Sequence, residues 1–240
     1  MKSSRPSART ALLIVLGILA VLWIIQVFNN ADDYRLSIDY SIQPRIAADL
    51  PYIFTAPFLH WSWSHIEGNS IPLVVLGFLS AYRSIPKFIG VTAIVIVTSG
   101  MAVWLVAPTG TEAVGASGVI FGWFGYVVVR GFFNHDKFDI FVGVLVIVYY
   151  LSLFSLLLPA PHLSYQDHIG GLVGGLVCGW TFRTRPDGVE TEVDSESPQA
   201  VQRKPPSAPA SSRKRVEGEL ASLKEQIASE RRDHGDGKEP

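Results

Sequence analysis

Six mostly apolar stretches between residues 11 and 182 constrain this chain more than any other feature. They lie at about 11–28, 60 or 63–82, 88–106, 117–133, 138–158 and 165–182. Soluble domains seldom carry apolar runs this long, and a helix needs about 20 such residues to cross a bilayer. The expected fold class is an all-α polytopic membrane protein, a bundle of six transmembrane helices.

The first run follows Lys2, Arg5 and Arg9, the charge order of a signal peptide. It continues through Trp23, Ile24 and Ile25 to Val27 and Phe28 without a small-residue cleavage site, so we read it as a membrane helix. Overall, 48% of the 240 residues are hydrophobic and mean hydropathy is +0.29. Those averages join unlike parts, and so does the formal net charge of −1. The expected organisation is a short basic N-terminus at 1–10, a membrane domain at 11–183 and a polar tail at 184–240. The tail is rich in Pro, Ser and charge and should be largely disordered. Val216, Leu220, Leu223 and Ile227 recur there at helical spacing, enough for a short amphipathic helix.

An even number of spans puts both termini on one side. Arg5, Arg9, Arg83, Lys87, Arg130, Lys137, Arg183 and Arg185 fall at one set of helix ends, with Arg35 and Arg45 opposite. Positive charge marks the cytoplasmic face, so both termini are expected in the cytoplasm, with segments two, four and six opening outside. The loop 29–59 carries Tyr34, Tyr40 and Tyr52, suited to a membrane interface, and is long enough to pack against the domain. The single cysteine, Cys178, excludes an internal disulfide and reads as a small buried residue.

Polar groups inside a membrane are costly and direct attention to function. Segment two carries His60, His65 and Asn69 near its outer end. His65 and Asn69 are four apart and share a helix face. His60, about 140° from His65 on an ideal helix, is expected at the loop junction. Interhelical hydrogen bonding is the alternative role for these groups. A metal site is disfavoured, because His60 and His65 diverge and no His-Glu-x-x-His helix is present. No cofactor motif such as a phosphate-binding glycine loop occurs, and the scattered basic residues carry no nucleic-acid signal.

Segment four opens with Gly115-Ala116-Ser117-Gly118, and segment six with Asp167-His168-Ile169-Gly170-Gly171. A serine becomes a nucleophile when a base stands beside it. His168, Gly171 and Gly175 form one helical stripe, and Gly118 and Gly122 repeat the small-xxx-small spacing that lets helices approach closely. Close contact would bring Ser117 and His168 within hydrogen-bond reach, with Phe121, one turn below Ser117, against the imidazole. Ser117 at a helix start has unpaired backbone N–H groups around it, suited to an oxyanion. Capping the helix is its bland alternative.

Together His60-xxxx-His65-xxx-Asn69, Gly115-Ala116-Ser117-Gly118 and His168-xx-Gly171-xxx-Gly175 resemble the rhomboid intramembrane serine proteases, over about residues 11–182. The resemblance implies a six-helix rhomboid-like bundle with Ser117 as nucleophile and His168 as general base. It implies an oxyanion hole from the Ser117 N–H, His65 and Asn69, with His60 supporting that end and Phe121 stacked on the histidine. The implied reaction is hydrolysis of a peptide bond in or beside a transmembrane helix of another membrane protein. No cofactor or metal is implied, and the implied location is multi-pass in a bacterial cell membrane.

Three positions depart from the family pattern. Pro51-Tyr52 stand where many rhomboids carry Trp-Arg, so the first loop is anchored differently. Asp167 stands where Ala is frequent and is weighed as an orienter of His168. Glu67 is unusual in its helix and is read as facing water. Two other classes of function compete: an inactive rhomboid-like protein that binds membrane clients, and a proton-linked transporter or channel. The polar groups cluster only at the outer ends and no inverted repeat is evident, which disfavours the transporter.

Overall fold

The computed structural model describes residues 6–159 and 164–183, together with Ser222 and Lys224. The chain divides into two compact units, 1–188 and 189–240, and every helix below belongs to the first. The expectations for the tail, including the helical spacing at Val216, Leu220, Leu223 and Ile227, fall outside the described residues.

Helices follow the apolar runs, and polar side chains set several of their beginnings. The first four N–H groups of a helix lack partners, and a Ser or Asp just before the helix supplies one. Ser7 caps α1 (Ala8–Ala31), Ser62 caps α3 (Trp63–Ala81) and Ser84 caps α4 (Ile85–Val106), whose first turn also holds Pro86. Asp136 caps α6 (Lys137–Tyr149) by accepting from the Phe138 and Asp139 N–H groups. The short α2 (Arg35–Asp39), α5 (Ser117–Asn134) and α7 (Tyr165–Thr181) have no such side-chain cap.

Two stretches differ from the sequence-based expectation. The fifth run is not one helix over 138–158: α6 ends at Tyr149, and a 3-10 stretch, Leu151–Leu157, completes it. Within that stretch the Ser155 hydroxyl donates to the Ser152 carbonyl at 2.6 Å. At 13 residues, α6 is about 20 Å long, short of the roughly 30 Å hydrocarbon core. The loop 29–59 is also structured. It contains the end of α1, all of α2, and 3-10 turns at Ala47–Phe54 and Ala56–Phe58.

The α5 helix is the centre of the unit, with every residue from 118 to 127 buried. Glycines let α7 sit against both α5 and α4. A Cβ on Gly171 or Gly175 would collide with the backbone carbonyls of Gly118 or Gly122 on α5. One on Gly170 would lie 2.5 Å from the Ala102 Cβ and 2.6 Å from the Thr98 carbonyl oxygen on α4. The other long helices carry outward apolar side chains: Leu13 and Ile24 on α1, Ile71 on α3, Ile89 on α4, Phe141 on α6 and Val177 on α7. Of the described helices, α1 and α4 are long and apolar enough to cross a membrane by themselves.

At the end remote from Ser117, charge closes the packing. Arg130 donates through Nε and Nη2 to the Asp139 carboxylate at 3.1 and 2.9 Å, and Arg83 reaches the same carboxylate at 2.8 Å and Asp136 at 3.1 Å. Arg130 and Asp139 are almost wholly buried. A buried ion pair of this kind stabilises only when both partners are present.

Candidate active site

Ser117 is the first residue of α5, and Ala116 before it forms no side-chain cap. Ser117 therefore does not cap its helix; the Gly118 N–H beside it goes to the Asp167 carboxylate of α7. Gly115, at φ +131°, makes the turn into the helix and donates its N–H to the Ala56 carbonyl at 2.9 Å. A side chain there is doubly excluded, because its Cβ would lie 2.8 Å from His65 Nε2. The same point is 3.7 Å from Ser117 Oγ, so His65 and Ser117 border one small space above a glycine.

His168 is buried in the first turn of α7. Its ring stacks on Phe121, with centroids 4.5 Å apart and planes 21° from parallel. Its Nδ1 lies 2.8 Å from the Leu156 carbonyl oxygen. A carbonyl only accepts, so Nδ1 carries the proton and Nε2 is the basic nitrogen. A backbone carbonyl from the 3-10 stretch thus fills the orienting position considered for Asp167.

Asp167 turns the other way. Its carboxylate lies on Gly118, where any Cβ would collide with it, and it also faces Ser99. Ser117 Oγ donates to Asp167 Oδ2 at 3.5 Å, and this long contact, rather than a bond to His168, is the one its hydroxyl makes in the structure. Adjacent helical residues point about 100° apart, so His168 and Asp167 approach α5 on different sides.

His60 precedes α3, at the loop junction expected for it, but its ring does not diverge from His65. The two rings meet edge to face with centroids 4.9 Å apart. Helical spacing does not govern a residue outside the helix. Asn69 Nδ2 donates to His60 Nε2 at 3.1 Å. Burial, reinforced by the neighbouring His65, lowers the His60 pKa to about 3, so the ring is neutral and accepts this bond.

Ser117, His168, His65, Asn69 and Phe121 all line one cavity of about 970 Å³, with Glu112, Asp167 and Leu156 in its wall. Gly118, Gly171 and Gly175 lie behind it, where α5 meets α7. Glu67 is exposed, and no group of three metal-ligating side chains converges among the described residues.

With Pro51-Tyr52 in place of Trp-Arg, the first loop is held from other positions, among them Arg45, whose N–H donates to the Trp104 carbonyl at 3.0 Å and whose Nη1 donates to the Leu105 carbonyl at 3.2 Å. Ile42 pairs with Ala113 as an isolated antiparallel bridge, Trp104 Nε1 donates to the Ile46 carbonyl at 2.9 Å, and Ile53 packs onto Gly100 with its Cβ 2.6 Å from where a glycine methyl would stand. Tyr52 packs edge to face on Tyr40 at 5.4 Å.

The family model for the Rhomboid domain matches residues 48–185. The chain is 33% identical over 175 residues to the uncharacterized protein Rv1337 of Mycobacterium tuberculosis, covering 69% of this chain and 72% of that one. It is 34% identical over 176 residues to the uncharacterized protein ML1171 of Mycobacterium leprae, covering 69% of each. The chain belongs to the rhomboid family. With α1 and α4 apolar enough to span, it is a membrane protein.

Sequence reasoning missed the Leu156 carbonyl that holds His168, because a backbone carbonyl has no signature in residue type.

Proposed function

We propose that this protein is an active intramembrane serine endopeptidase that cuts peptide bonds in or beside transmembrane segments of other membrane proteins. Six helices, α1 and α3 to α7, would traverse a bacterial cell membrane, with both termini cytoplasmic and the 184–240 tail on that side. The observation that carries the reading is His168. It is buried, stacked on Phe121, holds its proton on Nδ1 through the bond to Leu156, and lines the same cavity as Ser117.

In this reading Ser117 Oγ attacks the scissile carbonyl while His168 Nε2 takes its proton. The C–N bond breaks as His168 returns that proton to the leaving amine. Water, deprotonated by the same nitrogen, then hydrolyses the acyl-enzyme. The oxyanion formed in each half is stabilised by the Ser117 N–H, His65 and Asn69 at the positive end of α5. No metal or cofactor enters this sequence of steps. The Ser117 hydroxyl must turn from Asp167 to His168 before attack.

That last contact also favours a second reading, an inactive rhomboid-like protein that binds membrane clients, in which the serine stays on Asp167. A fluorophosphonate probe on the purified, detergent-solubilised protein separates the two. The protease reading expects covalent labelling of wild type that vanishes in Ser117→Ala and His168→Ala. Folded wild type that does not label, beside an active relative that does, refutes it and leaves client binding.

A further inference from the structure

We propose that Asn29 of α1 and Ser37 of α2 are positioning residues for the oxyanion-binding groups, acting through His60; the inference rests on the protease reading above. Neither residue lines the cavity. Both are wholly buried, as is His60. Asn29 Nδ2 donates to the His60 carbonyl at 3.0 Å and to Ser37 Oγ at 2.8 Å. Ser37 Oγ donates to the same His60 carbonyl at 3.2 Å, and the Ser37 N–H returns a bond to Asn29 Oδ1 at 3.2 Å.

These four bonds close a network across α1, α2 and the residue just before α3. Inside a low-dielectric interior such bonds resist distortion, because each broken one leaves a buried group unpaired. His60 needs such a hold. It lies in no helix, so helical geometry does not aim its ring. Its carbonyl is clamped by Asn29 and Ser37, and its Nε2 takes the Asn69 amide. Its ring edge meets His65. The two side chains assigned to the oxyanion therefore both lean on a residue whose backbone is fixed by α1 and α2. This gives the first helix and the first loop, remote from Ser117 in sequence, a part in the geometry of the site.

A shift of about 1 Å in a reacting group costs up to about a hundredfold in rate, so partial loosening of His60 should cost about tenfold. The test is a double-mutant cycle on the full-length protein, read as the second-order rate of fluorophosphonate labelling alongside melting temperature. Asn29→Ala should slow labelling about tenfold in the wild-type background. In a His60→Ala background, where Ser117 and His168 are intact, it should cost nothing further, because the ring it positions is gone. Ser37→Ala removes two of the four bonds and keeps Asn29 on His60, so it should repeat the pattern with a smaller loss. It also carries the cycle if Asn29→Ala does not fold. Losses that multiply across the two backgrounds, or an unchanged rate, overturn the inference and leave the protease reading standing. A folded wild type that never labels overturns both.

Discussion

Gly175→Ala is the sharpest perturbation of the frame that holds the site. The added methyl would lie 2.8 Å from the Gly122 carbonyl carbon and 3.0 Å from its Cα, and closer still to its carbonyl oxygen. Those atoms are backbone in the centre of α5, so no side chain can swing away. Ordinary carbon–oxygen contact is about 3.3 Å or more, so α5 and α7 must separate by roughly 1 Å. Forced overpacking of a core costs about 1–3 kcal/mol. The same separation carries Ser117 away from His168, and about 1 Å there costs on the order of a hundredfold in rate. Gly17→Ala is the matched control, since nothing lies within 4 Å of its Cβ position. In a helix interior that change is neutral or stabilising by up to about 1 kcal/mol. Melting temperature and fluorophosphonate labelling in one detergent measure both effects. A Gly175→Ala protein that melts and labels like wild type would show that α5 and α7 do not touch along this stripe.

Two further outcomes follow from groups at the edges of the unit. Arg130→Met leaves the buried Asp139 carboxylate with Arg83 as its remaining arginine, and should destabilise by about 3 kcal/mol; an Arg130→Met, Asp139→Leu double variant that melts no higher than the single one would refute that account. His60 is held neutral in the folded state by a pKa lowered to about 3, whereas the unfolded chain protonates it below about 6.5. Stability from this group is therefore present above about pH 6.5 and is lost towards pH 3, by about 1.4 kcal/mol per pH unit. Melting temperatures should fall with pH across that window, and His60→Gln should flatten the fall; an equally steep fall in the variant would count against it.

How much of this protein its amino-acid sequence reveals depends on how local each signal is. Apolar runs are local, so the long helices between Ala8 and Thr181 were legible to within a few residues, except the fifth, which ends at Tyr149; α2 and the 3-10 turns of the first loop, which carry no such run, were not. Glycine spacing was legible because a missing Cβ acts wherever two backbones meet, and Gly171 and Gly175 lie on Gly118 and Gly122. The pairing of Phe121 with His168 was legible from one helical turn of spacing on α5 together with the expected α5–α7 contact.

Tertiary structure alone decided the rest. Asp167 follows no local rule: whether it orients the histidine or faces the serine depends on which neighbour each side of α7 meets, and it faces Ser117 and Gly118. The partner of His168 Nδ1 is a main-chain oxygen, and every residue carries one, so residue type cannot announce it. Asn29, Ser37 and His60 are separated by up to 31 positions and converge only because α1, α2 and the entry to α3 pack together. Sequence by itself determined a helical membrane protein with a serine and a histidine on adjoining helices. Which hydrogen bond each of those side chains makes was left to packing, because a bond a few ångströms long is set by neighbours from distant parts of the chain.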